Sequence, residues 1–310
     1  MTTIINNYTL LKSISDATTA LIKQLSKSVV SVQASMSRGT GVVLDKQGYI
    51  VTCNHVLQGS KIVRVGQGEE TVTAKVVGTD QYSDLALLKT EYLDIAPIEI
   101  GDSSTLNTGQ FVIALANPFN RKQPTATTGI ITNTESALPG FRGITMENVI
   151  ATDAKLNPGF SGGPLVDTEG KLIGINVAYV WQRGITIPIN KVKIITDGLI
   201  AGRTIKKAYL GLIVNTVAIP IEIQDEAGIA QETGVMVFQV EPNSPAKKAG
   251  LTMGDVIVAF NGKPVLDFYD LPRLLSEDVV GKQIVLAIIR EEKLLQLTIT
   301  PTVKKCENDE

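Results

Sequence analysis

The chain is poor in the residues that build metal centres and disulfide frameworks. Its 310 residues include one histidine, His55, and two cysteines, Cys53 and Cys306. Two cysteines so far apart do not make a disulfide scaffold. A zinc site needs more ligands than these three residues offer. No metal and no cofactor is therefore expected. An excess charge of either sign is lacking too: 29 Lys and Arg stand against 31 Asp and Glu, for a net charge of −2. Nothing in that balance points to nucleic acid or to an anionic membrane. No run reaches the roughly 18 apolar residues of a membrane span, so no integral membrane segment is expected. The opening stretch, MTTIINNYTLLKSISDATTALIKQL, has no basic leader, long apolar core or small-residue cleavage site. As written the protein reads as cytoplasmic; a processed or truncated form would read the same and be extracytoplasmic. What remains is 44% hydrophobic and 19% charged, a composition that builds real cores, at a length for two domains or one large one.

The stretch that organises the chain runs from Thr152 to Val166, TDAKLNPGFSGGPLV. At its centre Gly159-Phe160-Ser161-Gly162-Gly163 brackets one serine with three glycines. A serine hydroxyl becomes a nucleophile only when a nearby base takes its proton. The charge that then forms on the attacked carbonyl needs backbone N–H donors aimed at it. Gly159 can adopt the angles that turn its N–H inward beside that of Ser161, while Gly162 and Gly163 would keep bulk away from an incoming peptide. The alternative reading of the motif is a glycine-rich turn between strands.

Histidine decides between them. His55 is the only imidazole available as a base for Ser161. The G-x-S-x-G motif of α/β-hydrolases has its histidine after the serine, and none follows here. The orders Asp-His-Ser and His-Asp-Ser both remain open until the acid is identified.

The pattern of elements narrows this. Residues 13–27 read as a helix, with Ser13 or Ser15 as cap and Ala17, Leu21, Ile22 and Leu25 at helical spacing. That apolar face packs on its own domain or on a neighbouring subunit. From Val29 the chain turns to short β-rich runs at 29–32, 40–44, 49–52, 61–65, 71–77 and 85–88, separated by Gly, Asp or Asn. Short strands without intervening helices indicate barrels or sandwiches. They disfavour the Asp-His-Ser order, which belongs to a parallel sheet with crossover helices. The acid then lies between His55 and Ser161. Asp84 is preferred, because it opens the apolar strand Leu85-Ala86-Leu87-Leu88. A carboxylate there would fix the imidazole tautomer. Asp153 is the runner-up, more readily a brace for the nucleophile loop. Asp80 and Asp94 read as turn residues, and Asp102 is a further candidate.

VTCNHVL around His55, SDLALLK around Asp84, LANPF at 115–119 and TDAKLNPGFSGGPL around Ser161 together resemble the HtrA (DegP-like) family of serine proteases. The likeness runs from about Val29 onward. It implies a mainly β fold: a chymotrypsin-like double β-barrel, with barrels at 29–100 and 108–193, followed by a smaller α+β PDZ domain. The domain plan it implies is an N-terminal helical segment at 1–28, a trypsin-like protease domain at 29–193, a linker helix at 194–206, a PDZ domain at 207–303 and a charged tail at 304–310. The catalytic set would be His55, Asp84 and Ser161, with an oxyanion hole from the N–H groups of Gly159 and Ser161. Asn176, Val177 and Ala178 would pair with the substrate backbone beside an apolar pocket. In the second domain PNSPAKKAGL at 242–251 and MGDVIVAFNGKPV at 253–265 are PDZ-like. Tyr209, Leu210, Gly211 and Leu212 would hold a peptide carboxylate, the peptide adding as a strand to the domain edge.

The resemblance further implies an ATP-independent endopeptidase for unfolded or misfolded proteins, working as a homotrimer or higher homo-oligomer. A chaperone or PDZ adaptor with a resting protease site is the competing expectation, and an esterase with the same triad is the third. The family usually has asparagine where this chain has Cys53 and Phe160. Cys53 reads as a buried small hydrophobe, and Phe160 as a residue whose backbone alone matters to the oxyanion donors. Loop 134–147 would carry regulation, with Arg142 near the place of a regulatory arginine.

Overall fold

Short runs of β-branched and leucine residues, each closed by a turn, build two closed barrels in the first part of the chain. The computed structural model describes residues 2–91, 95–139, 145–180, 182–202, 208–268 and 270–303. Asp94, Arg142, Cys306 and the tail from 304 lie outside the described residues. The chain divides into two units, Met1–Thr204 and Ile205–Glu310.

The first barrel comprises β1 (Val29–Gln33), β2 (Arg38–Val43), β3 (Tyr49–Cys53), β4 (Ile62–Gln67), β5 (Glu70–Asp80) and β6 (Leu85–Lys89), closed in the order β1-β2-β3-β6-β5-β4. The second comprises β7 (Phe111–Ala116), β8 (Thr125–Pro139), β9 (Thr145–Thr152), β10 (Pro164–Val166), β11 (Leu172–Val180) and β12 (Arg183–Pro188), closed as β10-β11-β12-β9-β8-β7. Closure leaves no free strand edge in either barrel.

The strand pairs show why apolar runs rather than simple alternation mark some strands. Leu85, Ala86, Leu87 and Leu88 are all buried. One face of β6 fills the barrel; the other lies under helix α3 (Ile189–Ile200), which packs on β5 and β6. Ile189, Val192, Ile195, Thr196 and Leu199 form its buried stripe. Leu199 sits so close over Gly78 of β5 that a Cβ there would lie 2.9 Å from its Cδ2. Each leucine buried this way contributes roughly 1.5–3 kcal/mol. The second barrel is filled by Val112, Ala114, Ile131, Ile150, Leu165, Ile173 and the ring of Phe160.

Helix α1 spans Thr2–Leu25, so it starts well before the expected position 13. The expected cap Ser13 lies inside it, its hydroxyl donating back to the Thr9 carbonyl at 2.9 Å. No proline or glycine interrupts residues 2–12, so nothing stops the helix there. Its C-terminal end docks on its own unit: Leu21 and Leu25 cover Gly170. Tyr8, Leu10, Leu11 and Ile14 remain exposed.

In the second unit, β13 (Ala208–Tyr209) pairs with β20 (Thr302–Val303). The main sheet runs β14 (Leu212–Ala218), β15 (Thr233–Val240), β16 (Val256–Phe260), β18 (Ile284–Arg290) and β19 (Lys293–Ile299), with β17 (Lys263–Pro264) beside β16. Helices α4 (Ile221–Ala227), α5 (Pro245–Lys248) and α6 (Asp270–Leu274) accompany it. The Ser-Pro-Ala stretch starts α5: Ser244 Oγ accepts the Lys247 N–H at 3.1 Å, and Pro245 takes the first turn. A core of Val235, Val237, Leu251, Ile257, Leu286 and Ile288 fills the unit. Helix α6 is short, at Asp270–Leu274.

Candidate active site

His55 lies on α2 (Asn54–Leu57), one helical turn directly after β3. Asp84 stands at the turn into β6, where its φ is +58°. That conformation is costly for a non-glycine residue, and three bonds hold it. The Asp84 carbonyl accepts the Asn54 N–H at 2.7 Å, and its Oδ1 accepts the His55 N–H at 2.8 Å. Its Oδ2 faces His55 Nδ1 in a short hydrogen bond. A carboxylate there accepts, so Nδ1 carries the proton and Nε2 is the basic nitrogen.

Ser161 comes from the loop between β9 and β10. The loop reaches the first barrel at close range. A Cβ on Gly162 would lie 3.0 Å from the Cys53 N, and one on Gly39 would lie 2.6 Å from Val56 and 3.1 Å from the Ser161 carbonyl. Ser161 thus sits beside the strand and helix that carry His55. Its hydroxyl donates to the Val177 carbonyl at 2.9 Å.

Gly159 has φ +97°, a region closed to most residues. Pro118, from the LANPF segment, covers it: a Cβ would lie 2.7 Å from Pro118 Cβ and nearer still to Cγ. Among the described residues neither the Gly159 N–H nor the Ser161 N–H has a hydrogen-bond partner, as donors reserved for an oxyanion require. The neighbouring groups are all engaged. The Phe160 N–H reaches the Asn157 carbonyl at 3.1 Å, and the Gly163 N–H reaches the Phe160 carbonyl at 2.9 Å. Gly162 and Gly163 do not clear space for a peptide, as the sequence suggested. They admit the backbone of the strands behind them, with the Thr40 and Leu115 carbonyls where a Cβ would go.

Of the three residues expected to pair with the substrate backbone, Asn176 has its side chain turned inward and fully buried. Its side chain bonds the Pro164 carbonyl at 2.9 Å and the Thr186 hydroxyl at 2.8 Å. Its N–H reaches the Gly163 carbonyl at 2.8 Å, and its own carbonyl accepts the Gly162 N–H at 2.8 Å and the Cys53 thiol at 3.3 Å. It holds the serine loop. Val177, beside a bulge in the β11–β12 pairing, has its carbonyl at Ser161, and Ala178 pairs with Ile185. Leu156, Asn157, Pro158, Phe160, Ser161, Val177 and Tyr179 line a pocket of about 370 Å³ with no carboxylate in its wall.

The other acid candidates have structural partners. Asp80 is buried and accepts the Ser83 hydroxyl at 2.5 Å and the Tyr82 N–H at 3.1 Å. Asp153 accepts the Ile130 N–H at 2.7 Å. Asp102 bonds Ser104 and Asn190, which hold its carboxyl down at about 2. Cys53 is buried; desolvation, and then the Asp84 charge, push its thiol well above the ordinary range. Its sulfur and the donor atoms of His55 and Asp84 lie within 4.8 Å of one another. Asp84 and His55 are nonetheless committed to each other, and a buried protonated thiol is a poor metal ligand.

Sequence reasoning missed Thr40. It lies on β2 between Gly39 and Gly41, is fully buried and bonds the serine loop twice (Thr40 N–H to the Ser161 carbonyl, 3.0 Å; Thr40 hydroxyl to the Gly159 carbonyl, 2.7 Å). The Gly-Thr-Gly spacing on a strand was the available signal.

In the second unit, Tyr209-Leu210-Gly211-Leu212 leads from β13 into β14. Its carbonyls are tied back: Leu210 accepts the Ala246 N–H and Gly211 the Glu241 N–H, each at 2.9 Å. Among the described residues the Leu210 and Gly211 N–H groups have no partner. The Tyr209 hydroxyl donates to the Glu241 carboxylate; burial and that neighbour push it up to about 12.

Two closed six-stranded barrels, with a His–Asp pair on one meeting a glycine-framed serine loop on the other, define a trypsin-like peptidase domain. The family described as trypsin-like peptidase domain matches residues 39–175, and the PDZ domain family matches 210–300. The periplasmic serine endoprotease DegP of Salmonella typhimurium is 36% identical over 279 residues, covering 86% of this chain and 57% of that protein. The serine protease Do-like HtrB of Bacillus subtilis is 36% identical over 282 residues, covering 85% and 62%. The solved structure of the HtrA-type protease AlgW with a tripeptide superposes with TM-score 0.75 at 29% identity, covering 94% of this chain and 98% of that one. The chain is thus a trypsin-like peptidase domain followed by one PDZ domain, similar to the DegP and HtrA serine endoproteases. It spans somewhat over half the length of the curated relatives it matches. Several of these relatives are periplasmic. That overturns the expectation of a cytoplasmic protein, which rested on an opening stretch without leader features; such a stretch carries no record of an export signal outside it. Among the described residues no helix is long and apolar enough to cross a membrane.

Proposed function

We propose that this chain is an ATP-independent serine endopeptidase that cuts unfolded or misfolded proteins. The carrying observation is the Asp84–His55 pair set against a serine loop with two uncommitted N–H groups. In this reading Ser161 attacks the scissile carbonyl, and His55 Nε2 takes its proton and returns it to the leaving amine. Asp84 orients the ring and stabilises the imidazolium. The Gly159 and Ser161 N–H groups stabilise the oxyanion. The pocket without a carboxylate favours a small or medium aliphatic side chain before the cut. The protease and PDZ domains of the sequence analysis are retained as part of this proposal, while the helix expected as a linker at 194–206 is instead α3 of the first unit, Ile189–Ile200, packed on β5 and β6. The PDZ unit takes exposed peptide C-termini at Tyr209–Leu212, where the Leu210 and Gly211 N–H groups suit a carboxylate. AlgW was solved with a tripeptide and with a decapeptide, which supports peptide recognition by this chain as well. The exposed Tyr8, Leu10, Leu11 and Ile14 of α1 support a homotrimer or higher homo-oligomer.

One observation favours a second reading, a chaperone or adaptor with a resting site: the Ser161 hydroxyl is directed at the Val177 carbonyl. The experiment compares an unfolded protein with a small ester, both without ATP. Peptides released from the unfolded protein are expected. Ester turnover with no peptide bond cut would favour an esterase, and aggregation suppressed with neither substrate turned over would favour the chaperone.

A further inference from the structure

We propose that Thr40 is the positioning residue of the oxyanion hole. The inference rests on the endopeptidase reading above and assigns a role to a residue of the opposite barrel.

The two donors, Gly159 N–H and Ser161 N–H, are separated by the peptide unit joining Gly159 to Phe160. Glycine has more backbone freedom than any other residue, so a donor carried by Gly159 is well aimed only if that freedom is removed from outside. Thr40 removes it. Its hydroxyl donates to the Gly159 carbonyl at 2.7 Å, while the N–H of the same peptide unit is held by the Asn157 carbonyl at 3.1 Å. Both ends of the peptide plane between the donors are pinned. The Thr40 N–H meanwhile donates to the Ser161 carbonyl at 3.0 Å, and the Gly162 N–H of that unit is held by Asn176 at 2.8 Å. One residue therefore grips the loop on both sides of the donor pair.

The hydroxyl is itself held. It accepts the Asn117 N–H at 2.8 Å, from the segment whose Pro118 covers Gly159. Having accepted there, it has its one proton for Gly159. The Thr40 carbonyl accepts the Thr52 hydroxyl at 2.7 Å, which fixes β2 to β3. The methyl rests on Gly163, 3.2 Å from where a Cβ would stand. A β-branched side chain on a strand has few χ1 choices, so methyl and hydroxyl fix each other's direction. Gly39 and Gly41 on either side supply the space, since a Cβ at Gly39 would meet Val56 at 2.6 Å and one at Gly41 would meet Ile50 at 2.8 Å.

The test compares Thr40→Val, which keeps the shape and loses the hydroxyl, with Thr40→Ser, which keeps the hydroxyl and loses the methyl. The whole 310-residue chain is used, with Ser161→Ala as blank. Turnover of an unfolded protein gives kcat and KM, and amide hydrogen exchange reads residues 157–163. Losing one oxyanion donor outright costs about 10²–10³ in kcat. Loosening the aim of one is expected to cost Thr40→Val about 10–100-fold in kcat, with KM within about twofold and faster exchange at Phe160 and Gly162. Thr40→Ser is expected to restore kcat to within about threefold and the exchange to wild-type rates. Should Thr40→Val not fold, Thr40→Ala against Thr40→Ser makes the same comparison. Unchanged kcat and exchange in the variants without hydroxyl would overturn the proposal. So would a Thr40→Ser variant as impaired as Thr40→Val, which would assign the effect to the methyl. If the wild type shows no turnover above the Ser161→Ala blank, the endopeptidase reading fails, and the exchange comparison alone decides for or against Thr40.

Discussion

Replacing Gly159 with alanine adds one carbon at the most constrained point of the serine loop. That carbon would stand 2.7 Å from Pro118 Cβ, 3.3 Å from Cδ and closer still to Cγ. Relaxed carbon–carbon contact is about 3.5–4.0 Å, so the overlap approaches 1 Å. The neighbour is a proline ring, which cannot swing aside as a flexible side chain can. The backbone angle adds to this, because φ is +97° and a left-handed conformation costs an L-residue about 1–2 kcal/mol. The loop relieves both by rotating Gly159 out of this conformation, which takes its N–H away from the site. Loss of one oxyanion donor is worth about 2.7–4 kcal/mol, or about 10²–10³ in kcat. Steady-state kinetics on an unfolded protein should therefore show kcat down by that factor with KM changed little, because the ground-state carbonyl needs the donor less than the tetrahedral intermediate does. The Asp84–His55 pair lies on the other barrel and should be intact by NMR. A Gly159→Ala variant with kcat within about threefold of wild type would refute the assignment of that N–H.

Asp84→Asn should lower kcat by on the order of 10⁴, since an amide facing Nδ1 no longer fixes the tautomer; a loss below about tenfold would exclude Asp84 as the orienting acid. Phe160→Ala should destabilise the first unit by about 3–5 kcal/mol in denaturant unfolding, because the ring is 2% exposed within the second barrel's core; an unchanged midpoint would contradict that packing. Arg290→Met tests the second unit. Asp255 is buried, which pushes its carboxyl up, but bonds from Arg290 at 2.7 and 2.8 Å and from Thr252 at 2.8 Å outweigh burial and leave it below its ordinary value. A lowered folded value stabilises the fold above the unfolded carboxylate value of about 4, and the gain is lost as pH falls through the folded value. Removing Arg290 should cost about 1–3 kcal/mol at neutral pH, less than a fully buried pair because its side chain is 31% exposed. The gap from wild type should shrink below about pH 4, as the unpaired Asp255 takes up a proton. Hydrogen exchange in β15–β18 measures it, and a gap independent of pH would refute the pairing.

The mainly β class and the His-Asp-Ser order were legible because they are local signals: turn residues between short β-rich runs, a single histidine, and an acid at the head of an apolar strand. Asp84 could be chosen over Asp80 and Asp102 on that ground. Sequence could not show that the latter two have local partners in Ser83 and Ser104. The start of α1 was misjudged because Ser13 has a cap's chemistry and the chain before it carries no stop signal. Asn176 was named with Val177 and Ala178 because the family resemblance assigns that segment to the substrate backbone, which leaves the direction of each side chain open. Adjacent side chains on a strand point to opposite faces, and Asn176 took the inner one. Thr40 was missed because its partners, Gly159 and Ser161, are about 120 residues away and bond it through their backbone carbonyls, which leaves the Gly-Thr-Gly spacing as its local sign. The compartment was beyond the residues altogether, and it was the periplasmic relatives that overturned the cytoplasmic expectation.

The most direct test of the account is cleavage of casein by the wild type and by Ser161→Ala across temperature. Removing a triad nucleophile costs about 10⁴–10⁶ in rate. The account predicts that the wild type digests casein and that the variant, folded to the same extent, leaves it intact. Equal cleavage by the two proteins would show that Ser161 is not the nucleophile and would contradict the central claim.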